Sequence, residues 1–499
     1  MEANPILPIL PDWLSKRAAD HPNVVAIEAP DGAFTYSELL QVARRLAGVL
    51  RESGVQPGEP VALLCRRGLW FTVGLHGVMQ ADAIAVPLNL RLTPSELAWQ
   101  LRDAGARVVI HDEDSASLTH AVERELGFHV TAVALPQAVV DGTAGSQAGR
   151  AHIALEQPLA IMYTSGTTGH PKGAVITHGN QWWSAMNSAL LFGVHRGDRW
   201  LAPMPLFHMG GLSVLMRSLI YGTTAVVHNG FDAAAVNAAL DRGSIHLLSV
   251  VPVMLQRMLA DRQRPYPASL RAVLLGGSAA TRALLERCQA LRVPVSQSYG
   301  LTEANSQVTT LRAEDGLRKL GSSGKPLTVT EVAVWVEGRP VEANQVGEIV
   351  LRGPTVIPGY WNRPEATAAA FRDGWFQTGD IGYLDEEGYL YVLDRRTDLI
   401  VSGGENVYPA EIESVLSTHP AVLDVGVTGQ PHPEWGHVPV AFVHAAGEDI
   451  HLAEALERHC RERLAGYKVP KAFYFVDALP RNASGKLMRR KLREWLDSK

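Results

Sequence analysis

A run of ten residues, 164–173, combines the residue types that bind phosphate. It reads Thr-Ser-Gly-Thr-Thr-Gly-His-Pro-Lys-Gly and directly follows the apolar segment 159–163. Glycine lets the backbone fold closely around an anion, hydroxyl and amide groups donate hydrogen bonds, and lysine supplies positive charge. The alternative is an ordinary flexible loop of similar composition, but a run of ten residues so rich in phosphate-binding residue types disfavours it. The candidate phosphate-binding residues are Thr164, Ser165, Gly166, Thr167, Thr168, Gly169 and Lys172.

Four further side chains could complete a nucleotide site. The Glu303 carboxylate offers an oxygen ligand to a hard cation such as Mg²⁺, which would bridge phosphates and spread their charge. Tyr299 has a flat face on which adenine could stack, and Asp380 could accept hydrogen bonds from both ribose hydroxyls. Arg395 carries a rigid fork of donors. Each residue alone is explained equally well as a core, turn or salt-bridge residue.

Two further glycine-containing segments could contribute to the site: one offers a backbone edge to a planar base, and the other contains a lysine. Gly276-Gly277-Ser278 follows the apolar segment 273–275, where missing side chains let a planar base approach the backbone. Lys486 lies inside the segment 468–499, which carries nine Lys or Arg against three acidic residues, a net +6. That charge favours anions near Lys486, whereas an isolated lysine would be read as solvated surface.

Composition limits the class of protein that these residues serve. The 499 residues are 46% hydrophobic and 19% charged, and the 45 Gly and 30 Pro are spread out, which excludes a fibrous or largely disordered chain. The net charge of −5 argues against a protein whose main ligand is nucleic acid. Three widely separated cysteines do not suit a disulfide framework. Because no apolar run reaches about 18 residues and the start lacks a signal-peptide pattern, we expect a cytoplasmic protein without an integral membrane segment.

Short apolar segments alternate with helical patterns through the first 300 residues. A helix is predicted at 69–80, and Thr93, Pro94 and Glu96 have the pattern of a helix start with a capping box. Alternation of this kind predicts largely parallel sheets. The predicted strands are 61–65, 83–87, 107–111, 159–163, 224–228, 247–251, 272–275 and 293–297.

The pattern changes after residue 347 to short strands separated by glycine and charged turns. A smaller α/β unit follows Asp394. Its predicted elements are a helix at 409–418, strands at 422–427 and 439–443, and a helix at 452–464. The sequence therefore predicts a large N-terminal region and a C-terminal domain of about a hundred residues.

The ten-residue run resembles the signature of the adenylate-forming superfamily, which includes acyl-CoA synthetases, nonribosomal peptide adenylation domains and beetle luciferases. Five more segments resemble motifs of that superfamily, and they occur in the same order along the chain. They are 298–303 for adenine and magnesium, 375–380 for ribose, 394–398 for the interdomain hinge, 402–406 for the second half-reaction and 480–486 for the catalytic lysine.

The resemblance implies an α/β fold in two parts. Residues 1–396 would form a large N-terminal domain of αβαβα-layered, mostly parallel sheets with a β-barrel-like subdomain. Residues 397–499 would form a small α+β C-terminal domain, a mobile cap that carries Lys486. The hinge would lie at Thr397, where many relatives have Asp or Lys instead, so the energetics of the hinge stay open.

The resemblance also implies a two-step reaction that uses ATP, Mg²⁺ and coenzyme A. A carboxylate attacks the α-phosphorus of ATP to give an acyl-adenylate, and the CoA thiol then displaces AMP. The residues implied as catalytic are Lys486, Glu303 (also the metal ligand), Thr302, Arg395 and His208. The nucleotide- and CoA-binding residues implied in addition to the phosphate loop are Gly276, Gly277, Ser278, Ser298, Tyr299, Gly300, Thr302, Asp380, Arg395, Lys486, Gly403 and Gly404.

His208 ends the segment 205–208, which resembles the motif whose last residue lies at the acyl pocket. Amino-acid-activating relatives usually have Asp there, so His208 disfavours an amino-acid substrate; a purely structural histidine is the alternative. Ser306 and Gln307 are candidate substrate-binding residues in a polar run after Glu303. A buried polar residue without a partner costs about 1–3 kcal/mol, so the run favours an acid with additional polar groups. Exposure of these side chains to solvent would weaken that interpretation.

Finer similarity narrows the family. The segments 297–303, 306–311, 319–327, 393–396, 404–409 and 480–484 closely resemble the superfamily's CoA ligases for an aromatic keto-diacid. Two alternatives stay open: a general aryl- or medium-chain acyl-CoA ligase, and a stand-alone adenylation module that loads a carrier protein. The expected partners are a small carboxylic acid, ATP and CoA, with no nucleic acid; a homo-oligomer is a family-level expectation.

Overall fold

The computed structural model describes residues 9–66, 68–140, 149–164, 170–277, 280, 282–394, 400–407, 409–447, 450–480, 487 and 489–497. Several predicted site residues lie outside these ranges, namely Ser165, Gly166, Thr167, Thr168, Gly169, Ser278, Arg395, Thr397 and Lys486. The roles predicted for them, and the domain boundary predicted at 396/397, therefore stay predictions.

Helices and strands alternate along most of the described chain. The α-helices are α1 (Trp13–Asp20), α2 (Tyr36–Glu52), α3 (Gly68–Gln80), α4 (Pro94–Ala104), α5 (Ala116–Leu126), α6 (Gln137–Val140), α7 (His178–Phe192), α8 (Met209–Tyr221), α9 (Ala233–Asp241), α10 (Pro252–Leu259), α11 (Arg282–Ala290), α12 (Pro364–Ala370), α13 (Pro409–Leu416), α14 (Leu452–Arg461) and α15 (Arg489–Asp497). The strands up to residue 301 are β1 (Ile9–Pro11), β2 (Val25–Ala29), β3 (Gly32–Thr35), β4 (Pro60–Leu64), β5 (Ile84–Pro87), β6 (Val108–Asp112), β7 (Thr131–Leu135), β8 (His152–Ala154), β9 (Pro158–Thr164), β10 (Lys172–Thr177), β11 (Arg199–Ala202), β12 (Thr224–Val227), β13 (Leu247–Val250), β14 (Ala272–Leu275) and β15 (Val295–Leu301). The later strands are β16 (Ser306–Leu311), β17 (Lys325–Pro326), β18 (Glu331–Val336), β19 (Arg339–Pro340), β20 (Gly347–Arg352), β21 (Phe371–Arg372), β22 (Trp375–Leu384), β23 (Leu390–Asp394), β24 (Ile400–Ser402), β25 (Glu405–Val407), β26 (Val422–His432), β27 (Gly436–Ala445) and β28 (Phe473–Phe475).

The strands form sheets of two kinds. A six-stranded sheet has the order β10-β9-β5-β4-β6-β7, and a nine-stranded sheet has the order β17-β16-β15-β14-β13-β11-β12-β2-β3. Neighbouring strands in the centres of both sheets run parallel, as alternation of strands with helices requires. An antiparallel sheet has the order β19-β18-β20-β22-β21, with β23 also paired to β22, and a smaller sheet has the order β25-β24-β27-β26, with β28 also paired to β27. Strands β1 and β8 form a separate antiparallel pair. The predicted α/β fold class, with a separate antiparallel part and a small C-terminal domain, is confirmed.

The chain divides into two compact units. The first contains Met1–Leu90, Leu101–Met162 and Gly173–Leu393, and the second contains Arg91–Gln100, Tyr163–Lys172 and Asp394–Lys499. Two short segments from the first third of the sequence therefore belong with the C-terminal residues. One of them carries the described ends of the phosphate loop.

The helix start predicted at Thr93 is confirmed. The Thr93 backbone N–H donates to the Glu96 carboxylate (2.8 Å), and the Glu96 N–H donates to Thr93 Oγ1 (3.3 Å). These reciprocal bonds are the capping box that the sequence predicts. Helix α4 consequently begins at Pro94 with two of its free backbone donors satisfied.

Four elements of the C-terminal part differ in length from their predictions, including α13, which ends at Leu416, two residues before its predicted end. Strands β26 and β27 run to 432 and from 436, well beyond the predicted 422–427 and 439–443, because they pair along their whole length as a hairpin. Hydrophobic patterning does not show the outer, polar part of such a ladder. Helix α14 ends at Arg461, three residues before the predicted end.

The three cysteines, Cys65, Cys288 and Cys460, are all free and buried. Burial raises the pKa of Cys288 and of Cys460 to about 12, and it raises that of Cys65 as well. The thiols therefore stay protonated near neutral pH. Among the described residues, no helix is both long and apolar enough to cross a membrane.

His76 on the buried helix α3 makes stability depend on pH. Burial lowers the pKa of His76 from 6.5 to about 4, so the folded protein keeps this ring neutral. Below pH 6.5 the His76 ring takes up a proton in the unfolded chain but stays neutral in the folded chain. The free energy of unfolding therefore falls as the pH is lowered, and this ring accounts for a loss of about 3 kcal/mol at pH 4. The variant His76→Gln should weaken the pH dependence of the free energy of unfolding, measured by urea denaturation between about pH 7 and 4. An unchanged slope would contradict this prediction.

Candidate active site

The described ends of the phosphate loop are held by the middle of helix α4. The Trp99 ring stacks on the His170 ring with centroids 4.8 Å apart and planes 6° apart. The Tyr163 hydroxyl donates to the carbonyl of Gln100 (3.1 Å). Thr164 Oγ1 donates to the Lys172 carbonyl at 3.4 Å, which ties the two ends of the loop together. All these contacts lie in the second unit.

In the first unit, Tyr299 and Asp380 lie together although 81 residues separate them. The Tyr299 hydroxyl donates to Asp380 Oδ2 at 2.6 Å, and both side chains are buried. Asp380 lies on β22, where its backbone N–H donates to Thr378 Oγ1. These bonds fix the carboxylate that is predicted to bind ribose. Tyr299 also packs with Ala304 and Val308 in a small core cluster.

Gly300 is required by the close approach of two strands. β15 and β16 pair antiparallel, with an irregularity between Tyr299 and Gly300. A side-chain carbon at Gly300 would lie 1.5 Å from the Ser306 carbonyl oxygen, which no residue could accommodate without moving the backbone. The predicted base-binding edge is nearby in the same sheet, because Ser298 Oγ donates to the Leu275 carbonyl at the end of β14.

Glu303 lies in a one-turn 3₁₀ helix, Thr302–Ala304, and only 5% of it is exposed. The Tyr360 hydroxyl donates to Glu303 Oε1 at 3.1 Å. Mg²⁺ takes most of its ligands from water and phosphate, so one oriented carboxylate suits an ion that arrives with ATP. No group of three or more His, Cys, Asp or Glu in the described part of the chain could hold a metal by itself. The donor present therefore fits a shared, phosphate-bound magnesium ion.

Behind Glu303 lies a buried polar network. Gln181 Nε2 donates to Asn305 Oδ1 (2.8 Å), and Ser184 Oγ donates to the Asn305 carbonyl (2.7 Å). Arg217 Nη2 donates to Ser184 Oγ (3.3 Å), and burial lowers the pKa of Arg217 to about 10. Helices α7 and α8 thereby fix the backbone just after Glu303.

The polar run after Glu303 is buried, so the alternative of solvent exposure does not hold for most of it. Asn305, Gln307 and Thr309 are each at most 2% exposed, and Ser306 is half-buried. Asn305 and Thr309 use their side chains on protein partners. Gln307 differs, because its Oε1 is buried and has no hydrogen-bond partner among the described residues.

The other predicted site residues occupy two separate places. His208 is exposed at the start of α8, and its ring lies 4.7 Å from that of Phe207. Gly403 and Gly404 have positive φ angles of 58° and 85°, and a side-chain carbon at Gly403 would lie 2.5 Å from the Trp435 ring. The Gly403 N–H donates to the Trp435 carbonyl. Trp435 therefore explains why glycine is needed at position 403.

Sequence reasoning did not identify Tyr360, Gln181 or Trp99. Tyr360 contacts the predicted Glu303, whereas Gln181 and Trp99 contact Asn305 and His170, which are sequence neighbours of predicted site residues. All three come from distant parts of the chain and lie in none of the matched motifs. The capping box at Thr93 was the one signal that pointed to α4, the helix that carries Trp99. Their roles emerge only from hydrogen bonds and ring contacts.

Comparison with protein families decides the classification. A model described as AMP-binding enzyme matches residues 14–361, and one described as AMP-binding enzyme C-terminal domain matches residues 411–486. The chain belongs to the AMP-binding enzyme family. The predicted membership of the adenylate-forming superfamily is thus confirmed.

Relatives of this AMP-binding enzyme match it along almost its whole length. The 2-succinylbenzoate–CoA ligase of Geobacillus kaustophilus is 48% identical over 485 residues, which is 97% of each chain. A double mutant of o-succinylbenzoate CoA synthetase from Bacillus subtilis, bound with a product analogue, is 41% identical with a TM-score of 0.92, covering 98% of this chain and 99% of that one. The Bacillus subtilis synthetase in complex with ATP and magnesium is 40% identical with a TM-score of 0.75, covering 97% and 100%. The predicted closer resemblance, to the o-succinylbenzoate–CoA ligases of menaquinone biosynthesis, is confirmed.

Proposed function

We propose that this enzyme converts 2-succinylbenzoate, ATP and CoA into 2-succinylbenzoyl-CoA, AMP and diphosphate, as a step of menaquinone biosynthesis. The observation that carries the proposal is the 48% identity to a 2-succinylbenzoate–CoA ligase across 97% of both chains. The buried Gln307 Oε1, which has no hydrogen-bond partner among the described residues, supports an acid with polar groups away from the reacting carboxylate.

In the first step, a carboxylate oxygen attacks the α-phosphorus of ATP and the bond to pyrophosphate breaks. We assign the phosphates to the loop 164–173, which offers a set of donors around Lys172. Asp380, held by Tyr299, binds the ribose, and Gly276 and Gly277 border the base. Magnesium, held by Glu303, supplies charge neutralisation on the phosphates. Lys486 is assigned to the α-phosphate and the carboxylate, where a point cation stabilises the developing charge.

In the second step, the CoA thiol attacks the acyl carbon and AMP leaves. We assign Gly403 and Gly404 to the path of the thiol because the segment 402–406 resembles the family's motif for the second half-reaction. Rotation of residues 397–499 about Thr397 between the steps, and the roles of Thr302, Arg395 and His208, rest on the resemblance alone. A cytoplasmic location and a homo-oligomer also stay predictions.

The test is a panel of acids assayed for pyrophosphate release and for thioester formation with free CoA. We expect 2-succinylbenzoate to be activated far faster than benzoates or medium-chain acids. Faster activation of those acids would favour the general acyl-CoA ligase instead. Adenylation without transfer to free CoA would favour a module that loads a carrier protein.

Gln307 offers a sharper version of this test. Its Nε2 donates to Thr310 Oγ1 at 3.2 Å while its buried Oε1 has no described partner; turning the amide over would let Oε1 accept from Thr310 and leave Nε2 to donate to the substrate. Gln307→Glu removes that donor and adds a negative charge, so we expect KM for 2-succinylbenzoate to rise about tenfold or more. KM for ATP should not change. An equal loss with every acid of the panel would contradict the assignment.

A further inference from the structure

Lys468 is a buried cation held by two carboxylates from distant parts of the sequence. Only 4% of the residue is exposed. Its Nζ donates to Glu96 Oε1 at 2.8 Å and to Glu411 Oε1 at 2.7 Å. Burial by itself would lower the pKa of Lys468, but Glu411 and Glu96 raise it above its ordinary value, so the amine stays charged. Neither sequence motifs nor the proposed reaction steps give this residue a role.

A second link joins the same two regions. Arg91 Nη1 pairs with Glu405 Oε1 at 2.7 Å, and the Arg91 guanidinium lies 4.5 Å from the centre of the Tyr467 ring. The segment Arg91–Gln100 is therefore fastened to the C-terminal residues by ion pairs at both Arg91 and Glu96. All the residues involved belong to the second unit.

These ion pairs connect two loops that serve different halves of the reaction. Glu405 directly follows Gly403-Gly404, and Glu411 lies in the first turn of α13 shortly after it. Glu96 lies in the first turn of α4, and one turn further along that helix Trp99 stacks on His170 beside the phosphate loop. Lys468 thus stands between the glycine loop assigned to the thiol and the helix that holds the phosphate loop.

We propose that Lys468, acting through Glu96 and Glu411, is a positioning residue for thiol transfer. It fixes the Gly403-Gly404 loop relative to helix α4, and through Trp99 relative to the phosphate loop. This inference rests on the two-step reaction proposed above. It gives the Lys468–Glu96 pair a specific effect on the second step, which a general contribution to folding would not have.

The experiment compares the two half-reactions in Glu96→Gln. Glutamine keeps the capping box with Thr93 and leaves Lys468 paired with Glu411, so the fold should be preserved. Adenylate formation is followed as acid-dependent pyrophosphate release, and thiol transfer is followed in a single turnover of supplied acyl-adenylate with CoA. We expect thiol transfer to slow about tenfold or more, since a charged hydrogen bond is lost, while adenylate formation stays within about twofold.

The matched control is Glu413→Gln. Glu413 lies on α13 like Glu411, but it pairs with Arg489 rather than with α4. This variant should leave the ratio of the two rates unchanged. A parallel fall of both half-reactions in Glu96→Gln, or no change in either, would overturn the proposal, and melting temperature measured on each variant separates such a fall from unfolding. The acid used is whichever one the wild-type enzyme activates in the panel, so failure with 2-succinylbenzoate would count against the proposed function alone.

Discussion

Lys486→Ala is expected to abolish adenylate formation while a supplied acyl-adenylate is still converted to the thioester. The lysine is the point cation assigned to the site where an anionic carboxylate approaches an anionic phosphate. Removing one preorganised electrostatic group of this kind typically lowers a rate by about 10²–10³-fold, and here it also removes the offset to repulsion between two anions. Pyrophosphate release and single-turnover thioester formation measure the two steps separately.

Lys491→Ala provides the control for the prediction at Lys486. Lys491 belongs to the same basic segment and lies on α15, so its removal changes the local net charge by the same amount. We expect it to have little effect on either step, because exposed charges are screened by solvent and salt. If Lys486→Ala slowed both half-reactions equally, the assignment of this lysine to the first step would be wrong.

Glu303→Gln is expected to lower adenylate formation by about 10²-fold or more at low magnesium. The substitution keeps the size of the side chain and a group that the Tyr360 hydroxyl can bond, but it removes the negative charge that a hard cation prefers. Part of the loss should be recovered as magnesium is raised. Pyrophosphate release measured over a magnesium titration reports both effects.

Tyr360→Phe separates charge from orientation at the same carboxylate. This variant keeps the Glu303 side chain and removes the hydroxyl that donates to it at 3.1 Å. We expect a loss of about tenfold, which is smaller than that of Glu303→Gln and lies at the lower end of the range for one hydrogen bond to a charged group. A Glu303→Gln enzyme with wild-type rates at every magnesium concentration would exclude Glu303 as a metal ligand.

Local sequence signals predicted the elements of this fold better than their contacts. The predicted strand 61–65 and helix 69–80 correspond to β4 (Pro60–Leu64) and α3 (Gly68–Gln80), because the residues that signal each element all lie within one short segment. The capping box at Thr93 was predicted for the same reason. Which distant segments pair with each other leaves no such local pattern, so the length of the strand pairing between β26 and β27 was underestimated.

In the site, too, the sequence predicted candidate functional residues but not which residues contact them. Chemistry and order along the chain selected Asp380 and Glu303, yet nothing near them in sequence indicated Tyr299 and Tyr360 as their hydrogen-bond donors. Lys468 is the extreme case, since in sequence it is one basic residue in a basic segment. Only the fold shows that it is buried between two carboxylates.

The three buried cysteines have a consequence for an enzyme whose second substrate is a thiol. A thiolate is the reactive form of sulfur, and burial keeps Cys65, Cys288 and Cys460 protonated and shielded. The protein's own sulfur atoms therefore do not compete with the incoming thiol for an activated acyl group, nor do they exchange with disulfides of that thiol. Because the native thiols react poorly, a single cysteine introduced at the surface would be the one that a maleimide reagent modifies, and the native cysteines would not have to be replaced before labelling.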